Sequence, residues 1–109
     1  MEFFVVMDRS ILGRGVFGIF SNYENARSFS DDLYQQTHFQ SDIKAFDMIG
    51  TPDPSGSVYA AHFYDLFYDT YVFDGIYSQQ PLAYEAVGEK GLIIRFFVDS
   101  PDNKETLFL

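Results

Sequence analysis

The sequence contains no cysteine, which excludes disulfide bonds, thiolate metal ligands, iron–sulfur clusters and a cysteine nucleophile. Basic residues are scarce: seven Lys and Arg stand against sixteen Asp and Glu, and the formal net charge is −9 at pH 7. Proteins bind nucleic acids largely through cations that neutralise phosphates. We therefore expect no direct binding to DNA or RNA.

Long apolar runs are also missing, since no stretch approaches the ~18 apolar residues that cross a bilayer. The opening run Phe3–Met7 follows the acidic Glu2, whereas a signal peptide has a longer apolar segment behind basic residues. We expect no membrane insertion and a cytoplasmic location.

Apolar and aromatic residues are abundant. Of the 109 residues, 47% are apolar, and the chain has thirteen Phe and eight Tyr. This composition is far from that of disordered chains, and the length suits one domain with one core. We expect a single domain over residues 1–109.

The negative charge is concentrated in the middle of the chain. Residues 1–27 and 90–109 each sum to zero, whereas residues 28–89 hold ten acids and one base, Lys44. The acids there could form a solvated surface that keeps the protein soluble. They could instead form a negative face that attracts a basic partner or imitates the phosphates of a nucleic acid. The sequence leaves both readings open.

Local patterns in the first half predict a hairpin, a helix and a third strand. Ser21 with Glu24 three residues later forms a capping box that starts the helix, which should end near Gln36. Turn-forming residues then predict a connector at 50–56. The predicted strands lie at 3–8, 15–20 and 42–49, with a loop at 10–14.

The second half repeats the first in weaker form. Gly18-Ile-Phe-Ser21 recurs as Gly75-Ile-Tyr-Ser78, 57 residues later, and Ala26 is matched by Ala83. We predict an α+β fold with an antiparallel sheet and two helices, built from two strand-strand-helix-strand units at 1–49 and 57–109. The predicted second-half elements are a helix that Ser78 caps and Gly88 or Gly91 ends, strands at 92–99 and 106–109, and a turn at Asp102-Asn103.

Residues 58–69 are ambiguous. Their apolar spacing is typical of a helix, but the repeat requires a strand that pairs with residues 70–77. No Gly, Pro or Asn separates the two segments to make a turn. We prefer the strand.

Gly13–Gly18 matches the pattern G-x-G-x-x-G. A dinucleotide-binding loop would lead into a helix, whereas strand-like residues follow here. The segment Ile11–Phe20 resembles the glycine-rich hairpin of protein kinases over ten residues. The strand lysine, catalytic loop and metal-binding motif of kinases do not follow, so we do not expect nucleotide binding.

His62, Asp65 and Asp69 would share one face if residues 58–69 were helical. One imidazole and two carboxylates could then hold a divalent metal or transfer protons. In a strand His62 would point away from both carboxylates, so we predict neither a metal, a cofactor nor a catalytic group.

Aromatic residues are unusually dense between Tyr59 and Tyr77. They could fill the core or form an exposed binding face in which aromatic rings and carboxylates receive basic side chains. The residues predicted to form that face are Asp65, Asp69, Asp74, Tyr64, Tyr68 and Tyr71.

These observations favour a small non-catalytic adaptor or inhibitor that binds a basic macromolecule, in its most specific form as a nucleic-acid mimic. A small-ligand-binding protein or enzyme with an aromatic-lined pocket is the alternative. A homodimer is compatible with either.

Overall fold

A computed structural model describes residues 1–9 and 15–107 as an α+β fold of two helices and two antiparallel sheets. The predicted class is confirmed, with two sheets in place of the one expected. The strand order is β2-β1-β3 in the first sheet and β5-β4-β6-β7 in the second. The elements in chain order are β1 (Glu2–Asp8), β2 (Val16–Phe20), α1 (Tyr23–Thr37), β3 (Ser41–Asp47), β4 (Ser57–Asp65), β5 (Thr70–Tyr77), α2 (Gln80–Val87), β6 (Leu92–Phe97) and β7 (Ser100–Leu107).

One sequence prediction lies wholly and another partly outside the described residues. The loop predicted at 10–14, with the first glycine of the G-x-G-x-x-G pattern, is one of them. The last two residues of the strand predicted at 106–109 are the other.

The two halves of the chain share one strand order. In each half the first strand lies between the second and third strands of its own unit. Val6 pairs with Gly18 in the first sheet and Ala61 with Gly75 in the second, and the pairing register shifts immediately after Val6 and after Ala61. The repeated glycines therefore occupy equivalent positions beside equivalent bulges.

The core lies between the two sheets. Ile49 connects their edges on one side, because its N–H donates to Ile76 O at 3.0 Å and its carbonyl accepts from Ser78 N at 2.9 Å. On the other side Asp99 N donates to Ile19 O at 2.9 Å. The sheets thus form a closed sandwich around the buried side chains of Phe3, Val5, Met7, Val16, Ile19, Met48, Val58, Ala60, Ile76 and Phe96.

The helices cover the outer faces of the sandwich. Helix α1 packs its buried Ala26 on the side of the first sheet that carries Val6 and Phe20. Helix α2 packs Ala83 on the side of the second sheet that carries Ala61 and Ile93. Both faces of the central strands are therefore buried, which explains why Phe3–Met7 is continuously apolar.

Both predicted serine caps are wrong. The N-cap of α1 is Asn22, whose Oδ1 accepts from Asn25 N at 2.8 Å. Ser21 instead donates its backbone N–H and its hydroxyl to the Asp99 carboxylate, at 3.0 and 2.6 Å. Asp99 is 78 residues away in sequence, so no local pattern shows this competing partner.

In the second half, the N-cap of α2 is Gln79. Ser78 is fully buried, and a side chain at Gly50 would collide with its hydroxyl. Ser78 therefore packs against the connector instead of capping the helix. Gly88, with φ 74°, ends α2 as predicted.

Residues 57–65 form a strand, so the helical alternative is wrong and the preferred strand is confirmed up to Asp65, whereas residues 66–69 form a turn. A strand here pairs with both β5 and β6 and buries Val58 and Ala60 in the core. Helical periodicity arose because both faces of this strand are partly apolar.

The turn after β6 lies earlier than predicted. Val98 and Asp99 form it, and Asp99 has φ 61°. Ser100 pairs with Phe97, but Lys104 pairs with Phe96, so residues 101–103 bulge out of the ladder. Asp102-Asn103, predicted as the turn, therefore belong to this bulge.

Candidate protein-binding surface

Five of the six residues predicted to bind a partner lie together at one end of the β4–β5 hairpin, which we call the hairpin tip (residues 64–71). Tyr64 pairs with Tyr71 across the two strands, and their rings are 5.4 Å apart. Between them the chain turns through Leu66–Asp69. The sixth residue, Asp74, lies further along β5, at the register shift.

The turn is shaped by hydrogen bonds, although it contains no glycine. Asp65 Oδ1 accepts hydrogen bonds from Phe67 N at 2.9 Å and Tyr68 N at 3.2 Å. Asp69 adopts φ 52°, a left-handed conformation that Asp tolerates better than most residues. Two of the predicted site acids thus also shape the backbone that presents the site.

This turn holds apolar side chains out in solvent. Leu66 is 80% exposed, Phe67 is 85% exposed and Tyr68 is 55% exposed. The rings of Phe67 and Tyr68 contact each other edge to face at 4.8 Å. Scattered exposed apolar residues are ordinary, but a contiguous exposed group is typical of an interaction site.

Within the described residues, the acids of this region form no ion pair. In the part of the chain that the structure describes, the ion pairs are Arg9 with Asp42 and Arg95 with Glu105. The hairpin-tip carboxylates belong to neither pair, so their charge remains available to a partner.

Asp74 has a neutral partner. Its Oδ2 accepts a hydrogen bond from the Tyr77 hydroxyl at 2.8 Å. Burial, with the nearby Asp74 carboxylate, raises the pKa of Tyr77 to about 12. Tyr77 therefore stays a neutral hydrogen-bond donor to Asp74 at physiological pH.

Lys90 is the base beside the hairpin tip. With Tyr64, Leu66 and Tyr71 it lines a shallow open depression of about 330 Å³. Glu89 precedes it in sequence, so the loop after α2 adds no net charge. The tip thus remains negative through Asp65 and Asp69.

The ten central acids do not share a single face. Asp31 and Asp32 lie on α1, and Glu85 lies on α2, and the two helices cover opposite sides of the sandwich. A binding face can therefore draw on the acids of the hairpin but not on all ten.

The arrangement of His62, Asp65 and Asp69 expected for a helix does not form. Along β4, His62 and Asp65 point to opposite faces. His62 is buried against Phe73, with Nδ1 3.3 Å from Leu92 O, and burial lowers its pKa. Among residues 1–9 and 15–107 no cluster of three or more His, Asp or Glu could hold a metal ion.

Sequence reasoning missed Leu66 and Phe67, the two most exposed apolar side chains of the tip. The available signal was the pair Asp65 and Asp69, since aspartate caps turns and accepts left-handed backbone. With that turn recognised, the residues between the two acids would have been predicted to project into solvent.

No protein-family model, curated protein or solved structure matches this chain. No helix in the described ranges is long and apolar enough to cross a membrane. The function must therefore be inferred from the geometry of the chain itself.

Proposed function

We propose that this chain is a non-catalytic binding protein that engages a basic partner protein through its hairpin tip. The observation that carries the proposal is the exposed group Leu66, Phe67 and Tyr68, which lies on a hydrogen-bonded turn between Asp65 and Asp69. More than half of the surface of each of these side chains is exposed, and none belongs to the buried clusters of the core.

The chemistry of the tip suits lysine and arginine side chains. Aromatic rings attract cations over their faces, and unpaired carboxylates add charge complementarity. Apolar residues surrounded by charge also match the usual interface, in which a few aromatic anchors supply most of the affinity inside a polar rim.

The proposal is tested by removing charge without altering the backbone. In the triple variant Asp65→Asn, Asp69→Asn, Asp74→Asn, each Asn keeps a side-chain oxygen that accepts the hydrogen bonds seen at Asp65 and Asp74. Asn also tolerates the left-handed conformation at position 69. The matched control, Asp31→Asn, Asp32→Asn, Glu85→Gln, removes the same three charges from the helices.

The measurement is co-purification from native lysate at low and high salt. We expect a basic protein that is retained by the wild type and by the helix control, is lost from the hairpin variant, and is released by salt. Equal retention by both variants would contradict the proposal, because binding would then not depend on the hairpin acids in particular.

The finer proposal is that the partner normally handles nucleic acid and that the hairpin acids replace phosphates. A DNA duplex added to the purified complex should then displace this chain. Displacement by salt but not by DNA would support the proposal of a basic partner and contradict the proposal of nucleic-acid mimicry.

A further inference from the structure

At the end of the sandwich opposite the hairpin tip, the core opens into a cavity of about 260 Å³. Its floor consists of Phe3, Met48 and Val58, which are core residues. They come from the start of β1, the residue after β3 and the start of β4, so the cavity is the mouth of the sandwich. Ligand sites commonly occupy the mouths of closed β-structures.

The rim of this mouth is held in place by backbone hydrogen bonds. Gly56 N donates to Asp53 O at 3.1 Å, and Val98 N donates to Gly56 O at 3.1 Å. On the other side Met48 N donates to Met1 O at 2.9 Å. The mouth is therefore formed before any ligand arrives, which lowers the ordering cost of binding.

The polar groups of the lining are already engaged. Asp53 Oδ1 accepts from Ser55 N at 2.8 Å, and Ser57 Oγ accepts from Ser55 Oγ at 2.9 Å. The hydrogen bonds from Ser55 lower the pKa of Asp53, so the rim carries a negative charge. A ligand here meets apolar walls, and an anion would be repelled at the entrance.

We propose that this mouth binds a small uncharged apolar group, such as a fused aromatic ring pair or a short alkyl chain. An apolar cavity of about 150 Å³ holds benzene, so by proportion 260 Å³ suits about ten carbon atoms. The site differs from the proposed protein-binding surface in position and in chemistry, and it does not depend on that surface.

The chain offers an internal probe, because its three methionines sample different places. Met1 and Met48 line the mouth, whereas Met7 is buried in the core at the other end of β1. Naphthalene is titrated into protein labelled with ¹³C at the methionine methyl groups. We expect the Met1 and Met48 signals to shift and saturate while the Met7 signal stays still. Benzene should bind about tenfold or more weakly, since it buries fewer carbons.

Two variants distinguish binding at the mouth from nonspecific hydrophobic binding elsewhere on the protein. Val98→Phe fills the mouth and should abolish the shifts, whereas Val72→Phe, on β5 towards the hairpin tip, should bind like the wild type. Unchanged Met48 signals at the solubility limit of naphthalene would overturn the proposal. Parallel shifts of all three methionines, or full binding by a folded Val98→Phe variant, would overturn it too. The wild-type titration decides the matter even if a variant does not fold.

Discussion

The two halves of the chain build the same arrangement of strands and use their aromatic residues differently. In the first half Phe29 of α1 packs on Phe20 of β2, with ring centroids 5.3 Å apart. In the second half Phe67 and Tyr68 contact each other in solvent, at the tip of a hairpin. One topology therefore packs an aromatic pair between a helix and a sheet in one half and exposes an aromatic pair on a hairpin turn in the other.

The helices of the two halves also differ, in length. Helix α1 has fifteen residues and α2 has eight. The residues that the two halves share belong to the packed interior of the fold, as the fully buried Ala26 and Ala83 do. The exposed tip occurs in the second half and lies outside the packed core. This difference is the reason for proposing that the tip binds a partner.

The largest effect is expected at the positions the halves share. Ile19 and Ile76 follow the repeated glycines and are almost fully buried in one core. Ile19→Ala and Ile76→Ala should each lower the free energy of unfolding by about 2–5 kcal/mol, since each leaves a cavity. Urea denaturation measures both. A loss below about 1 kcal/mol in either variant would show that this half does not depend on the shared core.

The second prediction concerns a position where the halves differ. Immediately after the register shift stands Met7 in the first sheet and His62 in the second. Burial lowers the pKa of His62, so the unfolded chain binds more protons than the folded chain below about pH 6.5. Stability should be fully present above that pH and should fall as the pH drops, by at most about 1.4 kcal/mol per pH unit from this group.

His62→Met makes the second half resemble the first and should flatten this pH dependence between pH 7.5 and 5.5. Thermal or urea unfolding across that window measures the slope in the variant and in the wild type. Identical slopes would show that His62 does not titrate against the fold.

A smaller effect on stability is expected at the turn of the β4–β5 hairpin, which presents the exposed residues of the second half. Asp65→Ala removes the acceptor of two backbone N–H groups and should cost about 1 kcal/mol of unfolding free energy. Asp65→Asn keeps the acceptor and should lie within about 0.5 kcal/mol of the wild type. If both variants were equally stable, the carboxylate would not be what holds the tip.

The smallest effect on stability is expected at the exposed tip itself. Phe67→Ala should change the free energy of unfolding by no more than about 0.5 kcal/mol, because Phe67 is largely in solvent. The same variant should weaken partner binding by about 1 kcal/mol or more if Phe67 is an anchor. A large loss of stability would assign Phe67 to the core and remove it from the binding surface.

Much of the fold was predictable because periodicity and turn residues are local. The strands at 3–8 and 15–20, the connector at 50–56 and the helix ending at Gly88 follow from such patterns. The repeat of Gly18 and Gly75 also favoured a strand in the segment 58–69, where local periodicity indicated a helix, and the strand does form up to Asp65.

Two of the features that were missed depend on partners distant in sequence. Ser21 has the pattern of a cap, but the Asp99 carboxylate takes its hydroxyl. A single sheet was predicted because nothing in the sequence shows that the edges separate and that the two sheets face each other. At the candidate site the tyrosines and acids were predicted. Leu66 and Phe67 were missed because the turn in which they lie carries no glycine.

Hydrogen–deuterium exchange on the complex with the co-purified basic partner tests the central claim most directly. We predict that binding slows exchange at the backbone amides of residues 63–72 and leaves those of α1 unchanged. Protection of α1 or β3, with residues 63–72 exchanging as in the free protein, would contradict the assignment of the hairpin tip as the binding surface.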